Sequence, residues 1–156
     1  MGDFGISPEA RKRTPELYLQ SYLRVLGVGD KVVLKIEFTI LSRPFPFNGV
    51  FTPLKPPRIS MWIPVAPFPN EDKIALSILL HEVGHYNHSL KLRDLWTMAT
   101  YAEREIEADR YGIPLARKLG VLGEYRLSSL AVLTWDPFNA PVEIQNIIDR
   151  MIESFK

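Results

Sequence analysis

Residues Asn70 to Ser89 read NEDKIALSILLHEVGHYNHS. Asn70 is a helix N-cap residue, and Glu71 and Asp72 put negative charge at the positive end of a helix dipole. Ile74, Ala75, Leu76, Ile78, Leu79, Leu80 and Val83 then fall on nearly every side of that helix, and a helix apolar all round is buried. His81 and His85 are four residues apart, so the helix turns both imidazoles to one face, where they can share one metal ion. Glu82, one residue after the first, is placed to handle a water on that ion. Gly84 costs about 1 kcal/mol of helix propensity relative to alanine, which implies a closely packed neighbour.

The bulk properties exclude several alternatives. The 156 residues predict one domain, 1–156, with a core large enough to need no disulfide. Lys and Arg total 19 against 18 Asp and Glu, so no charge excess points to nucleic acid or a membrane surface. There is no cysteine, so any metal must be held by histidine and carboxylate. Met1 to Ile6 lacks the pattern of a secretory signal, and no stretch approaches the roughly 20 apolar residues of a membrane span. The expectation is a cytoplasmic protein.

Outward from the histidine helix, the order of elements predicts an α+β fold. Thr14-Pro15-Glu16 is a helix start, and Leu17, Ser21, Tyr22, Val25 and Leu26 follow at helical spacing to Gly27, giving an N-terminal helix 14–27. Strands fill a sheet region, 31–65. Val32, Leu34, Ile36, Phe38 and Ile40 alternate with polar or outward positions, and Arg58 to Ile63 forms a second strand. Between them lies a proline-rich loop or interrupted hairpin, 42–57, in which Asn48-Gly49-Val50-Phe51 begins a short strand. The histidine helix spans 70–89. A further helix runs from Asp94 to Gly112, kinks or restarts at Ile113-Pro114, and ends before Gly120. C-terminal helices near 123–133 and 139–154 complete 123–156, separated by the turn Thr134-Trp135-Asp136-Pro137.

Two imidazoles leave a zinc ion short of ligands, since a hydrolytic site takes three from protein and keeps one position for water. On the 94–112 helix, Met98, Ala102, Ile106 and Gly112 define one face. Glu105 and Asp109 fall in its middle, whereas Glu103, Glu107 and Arg110 point away to solvent. Carboxylates inside an apolar stripe need a cation or a metal-bound imidazole to meet them.

His81-Glu82-x-x-His85 followed by Glu105-Ile-Glu-Ala-Asp109 resembles the gluzincin signature of zinc metallopeptidases, and the local wording is most similar to ImmA/IrrE-type peptidases and archaeal minigluzincins. The resemblance covers residues 58–112. It implies a small zincin-like domain, with a mixed or antiparallel sheet of about three strands packed on the histidine and glutamate helices. It implies His81, His85 and Glu105 as zinc ligands, Glu82 as general base, and Asp109 as the acceptor that orients a ligating imidazole. It further implies that the strand Ile59 to Ile63 borders the cleft and pairs with an extended peptide substrate. An oxyanion donor would have to be Tyr101, Tyr111 or an arginine. His88, almost on the ligand face but about 10 Å further along the axis, is expected at the rim or surface.

The expected activity is zinc-dependent peptide-bond hydrolysis of narrow or regulatory specificity, with a peptide or protein substrate and no nucleic-acid or membrane partner. Two alternatives stand beside it. One is a latent peptidase whose tail, through Trp135-Asp136-Pro137-Phe138, covers the cleft; the other is a zinc-stabilised binding module without catalysis.

Overall fold

A computed structural model describes residues 8–40 and 42–156. In chain order it contains α1 (Pro8–Val25), β1 (Val33–Thr39), β2 (Asn48–Thr52), β3 (Arg58–Pro64), α2 (Glu71–Leu92), a 3₁₀ segment (Arg93–Met98), α3 (Tyr101–Leu119), α4 (Leu122–Leu133), a short 3₁₀ turn (Pro137–Asn139) and α5 (Val142–Ser154). The fold is α+β with a mixed three-stranded sheet in the order β1-β3-β2. β1 runs parallel to β3, pairing Leu34 with Ile59 and Phe38 with Ile63, while β2 is antiparallel to β3 and pairs Phe51 with Ile59. No helix among the described residues is long and apolar enough to cross a membrane.

The alternation of β3 sorts its side chains cleanly. Ile59, Met61 and Ile63 are buried against the core, and Ser60 and Trp62 take the other face, where the Trp62 indole donates to Glu37 at 3.1 Å. In β1, Leu34, Ile36 and Phe38 pack against the same core, but Ile40, expected there, lies past the end of the strand and is 87 % exposed.

α2 is the hub. It contacts α1, β2, β3, α3, α4 and the first 3₁₀ segment, which is why its apolar residues are not confined to one stripe. Asn70 stands at its N-cap position but makes no side-chain cap; instead it adopts φ 57°, a left-handed turn that asparagine tolerates, and its carbonyl accepts from Ile74 N–H at 2.9 Å. Gly84 meets α3 directly. A Cβ there would lie 2.5 Å from the Ala108 carbonyl oxygen and 2.8 Å from the Ala108 Cα, so the two backbones touch.

Several helix boundaries differ from the sequence reading; α2 runs on to Leu92 and α5 begins only at Val142. α1 begins at Pro8, so Thr14-Pro15 lies inside it and is not its start; Ser7-Pro8-Glu9 carries the same pattern one stretch earlier. Its core side is Pro15, Leu19 and Leu23, while Leu17 and Val25 face solvent. The helix expected from Asp94 instead divides into the 3₁₀ segment and α3. Thr100 caps α3, accepting from Glu103 N–H at 3.1 Å, and α3 then continues through Pro114 to Gly120 at φ 76°. Burial of Ile113 and Ala116 on either side of the proline holds that continuation together. The stripe that α3 buries runs through Ala108, Asp109, Gly112, Ile113 and Ala116; Met98, Ala102 and Ile106, expected on the inner face, are exposed.

The C-terminal segment completes the core. Tyr125, Leu130, Ile148 and Ile152 are buried, and Arg126 joins α4 to α5 through Asp149 at 2.6 Å. Phe138 packs on Phe45 and Phe68, and the Asp136 carboxylate accepts from Phe138 N–H and the Asn139 amide. Truncation after Gly120 should therefore abolish cooperative thermal unfolding. A truncated chain that still melts cooperatively, with gained peptidase activity, would instead mark the tail as a cover.

Candidate metal centre

The close contact of α2 and α3 brings His81, His85 and Glu105 together, with one ligand atom from each lying within 4.8 Å of the others. His81 Nε2 is 2.7 Å and His85 Nε2 is 3.3 Å from the same Glu105 oxygen, Oε2. Ligand atoms around a tetrahedral zinc stand roughly 3.3 Å apart when each is about 2.1 Å from the ion. The trio therefore brings a two-nitrogen, one-oxygen donor set close enough together to be a candidate divalent-metal site. His85 is the more enclosed imidazole, packed edge-on to the buried Trp96 ring at 6.1 Å, whereas His81 and Glu105 remain partly open.

Asp109 stands behind His81. Its Oδ1 lies 2.9 Å from His81 Nδ1, so the imidazole donates from Nδ1 and turns Nε2 toward Glu105. Tyr125, from α4, adds a contact that the sequence reading missed. Its hydroxyl donates to the same Asp109 oxygen at 2.6 Å and lies 3.2 Å from His81 Nδ1. Gly112 makes room for it, because a Cβ there would sit 2.6 Å from the Tyr125 oxygen. Nothing in the sequence singles out Tyr125, an aromatic between Glu124 and Arg126 and 44 residues from His81.

Electrostatics tie the cluster together. Burial alone would lower the His81 pKa, but its bonds to Asp109 and Glu105 hold it well above the ordinary value. Burial would raise the Glu105 carboxyl, yet the bonds from His81 and His85 keep it well below the usual carboxylate range. Burial, helped by the Asp109 charge, pushes the Tyr125 phenol well up, so it stays a hydrogen-bond donor.

Glu82 lies beside the trio. It is buried, and burial raises its pKa despite the neighbouring imidazoles, which gives a stronger base than a free carboxylate. It also accepts from the Phe51 backbone N–H, and a Cβ on Gly49 would come within 3.2 Å of its Oε2. β2 thus passes directly over Glu82. This corrects the expected role of Ile59 to Ile63. β3 is the central strand with both edges paired, so it has no edge for a substrate, and the free edge beside Glu82 belongs to β2.

The two tyrosines considered as oxyanion donors separate. Tyr101, at the start of α3, bonds to Glu105 and stays largely exposed at the edge of the site. Tyr111 lies on another side of α3, bonded to Asn87 and lining a different cavity, so it does not reach the trio. Arg104 is held over the Trp96 ring at 4.3 Å and bonds to the Trp96 and Thr97 carbonyls. Glu103 is exposed as expected, while Glu107 is half-buried and paired with Arg110 at 3.3 Å. His88, expected at the rim or surface, is buried, with its Nδ1 enclosed and without a hydrogen-bond partner among the described residues.

No family model, no curated protein and no solved structure matches the chain.

Replacing Tyr125 with Phe should leave the fold intact but weaken metal affinity about tenfold, the lower range for loss of a group that orients a ligand. Competition against a chelator measures this, and an unchanged affinity would remove Tyr125 from the centre. The shifts also fix opposite pH trends. With chelator present, stability contributed by the raised His81 is complete below pH 6.5 and is lost as pH rises through its folded value; Glu82 acts in the same direction from 4.5 upward. Glu105 contributes stability above 4.5 that is lost only as pH falls. Zinc requires deprotonated ligands, so its stabilisation should grow over the range in which the chelated protein weakens. Melting temperatures from about pH 5.5 to 8.5, with zinc and with chelator, test this; parallel trends would contradict it.

Proposed function

We propose that the protein is a small zinc-dependent peptidase of gluzincin type, acting on peptide or protein substrates in the cytoplasm. The observation that carries this reading is the meeting of His81, His85 and Glu105 beside a buried carboxylate, Glu82, under an unpaired strand edge. Two nitrogens and one carboxylate oxygen favour zinc, although iron, cobalt or manganese suit similar donors. When bound, such an ion supplies Lewis acidity to a water and to a scissile carbonyl.

The chain's own groups supply the rest. Asp109, backed by Tyr125, keeps the His81 imidazole turned so that Nε2 faces the metal position. Glu82 accepts a proton from the attacking water on a carboxylate oxygen and delivers it to the leaving amine nitrogen. The Phe51 N–H is turned from β3 toward Glu82, so the outer edge of β2 can align an extended peptide by main-chain hydrogen bonds across this base. Tyr101, at the edge of the site, is the tyrosine placed to donate to a developing oxyanion.

Against a latent enzyme, the Asp136 carboxylate is engaged within its own turn and Phe138 packs in the Phe45 and Phe68 cluster. Against a purely structural zinc site, a raised, enclosed Glu82 next to three ligands is a cost that only chemistry explains. The Glu82→Gln protein should keep its full zinc content while peptide cleavage falls about 10²- to 10⁴-fold, the range for losing a general base. Elemental analysis paired with mass spectrometry of a peptide library reads both quantities. Cleavage by the variant at the parent rate, or by neither protein, would refute the assignment.

A further inference from the structure

The flank of the α2–α3 contact away from His81 and Glu105 holds a second cavity, of about 240 Å³. At about 100° per residue, Gly84 and Ala108 stand between two edges of their helices. His81, His85, Glu105 and Asp109 occupy one edge. Asn87 and Lys91 of α2 and Glu107 and Tyr111 of α3 occupy the other, with Arg110 and His88 completing the lining.

The groups that face this cavity are mostly donors. His88 is more than nine-tenths buried, makes no hydrogen bond among the described residues, and lines the cavity with a ring whose Nδ1 is sealed, which leaves Nε2 as the accessible nitrogen. Lys91 forms no ion pair among the described residues. Arg110 uses Nε on Glu107 at 3.3 Å and rests 5.3 Å from the Phe155 ring centre, and its terminal N–H groups make no hydrogen bond among the described residues. The Asn87 amide bonds to the Tyr111 oxygen, so the phenol hydrogen remains available. Arg110 neutralises Glu107, so the lining is left with Lys91 as its uncompensated cation among the described residues. His88 and Glu107 are not part of a metal-ligand set; among the described residues only His81, His85 and Glu105 form one.

We propose that this cavity binds a small anion, a phosphate or a carboxylate, held by Lys91, Arg110, His88 and Tyr111 and bridging α2 to α3. A buried imidazole without a partner and a lysine without a counter-ion are both satisfied by one anion. The ligand lies beside the helix contact that sets the metal centre but shares none of its groups, so the site stands whether or not the peptidase reading holds.

The experiment uses the full chain in chelator, titrated separately with inorganic phosphate and with succinate against a chloride control of equal ionic strength. Saturating anion should raise the melting temperature by roughly 5 °C and move the imidazole ¹⁵N resonances of His88 while those of His81 and His85 stay in place. A response to phosphate alone identifies a phosphoryl ligand; a response to succinate alone identifies a carboxylate. Lys91 is exposed, so Lys91→Met should fold normally and weaken the dissociation constant about tenfold, with Lys91→Arg restoring it. The proposal is overturned if neither anion shifts His88 saturably, or if Lys91→Met binds as tightly as the parent.

Discussion

The backbone contact between Gly84 and Ala108 sets everything else. Helix axes usually stand 8–10 Å apart because side chains keep them there. Here a Cβ on residue 84 would lie 2.5 Å from a carbonyl oxygen of α3, so the helices meet at the lower limit that glycine allows. That approach lets a short carboxylate on α3 reach both imidazoles on α2. Any side chain at position 84 would push Glu105 outward, and a metal centre tolerates little such drift.

A cluster of this kind is expensive to enclose. Glu82, His81, Asp109 and Tyr125 are polar groups in or near the core, and each is stabilised by a specific neighbour. The chain Tyr125–Asp109–His81–Glu105 runs from α4 through α3 to α2 and back to α3, so the C-terminal segment supports the centre as well as the core. Such a network is rigid when every member is satisfied. It ties the conformation of the proposed ligands to the packing of α4, a helix that carries none of them.

The sheet supplies a second constraint. β3 is buried between β1 and β2, and its inward residues fill the core under α2. β2 is left as the edge, held over α2 because Gly49 has no side chain to collide with Ile78 and Glu82. An unpaired edge next to a base is a natural seat for an extended chain. Under the proposed function, the sheet order makes β2, and not the more hydrophobic central strand, the one with an open edge beside Glu82.

Residues 70–89 were enough to specify a buried helix with two imidazoles on one face, because that depends on local periodicity alone; Glu105 was singled out by the gluzincin resemblance, since the apolar face drawn around it through Met98, Ala102 and Ile106 is exposed. The three strands were legible from local periodicity as well. Periodicity also misled: Met98 is apolar yet exposed in a 3₁₀ segment, a break signalled by the unheeded Thr100-x-x-Glu103 capping pattern, and Ile106 lies within α3 but off the stripe that α3 buries. Strand order, the burial of His88, the distance of Tyr111 from the centre and the part played by Tyr125 were decided only by tertiary structure. Each depends on which surfaces meet across long stretches of chain, and a one-dimensional pattern carries the direction of a side chain but not the identity of what lies opposite it.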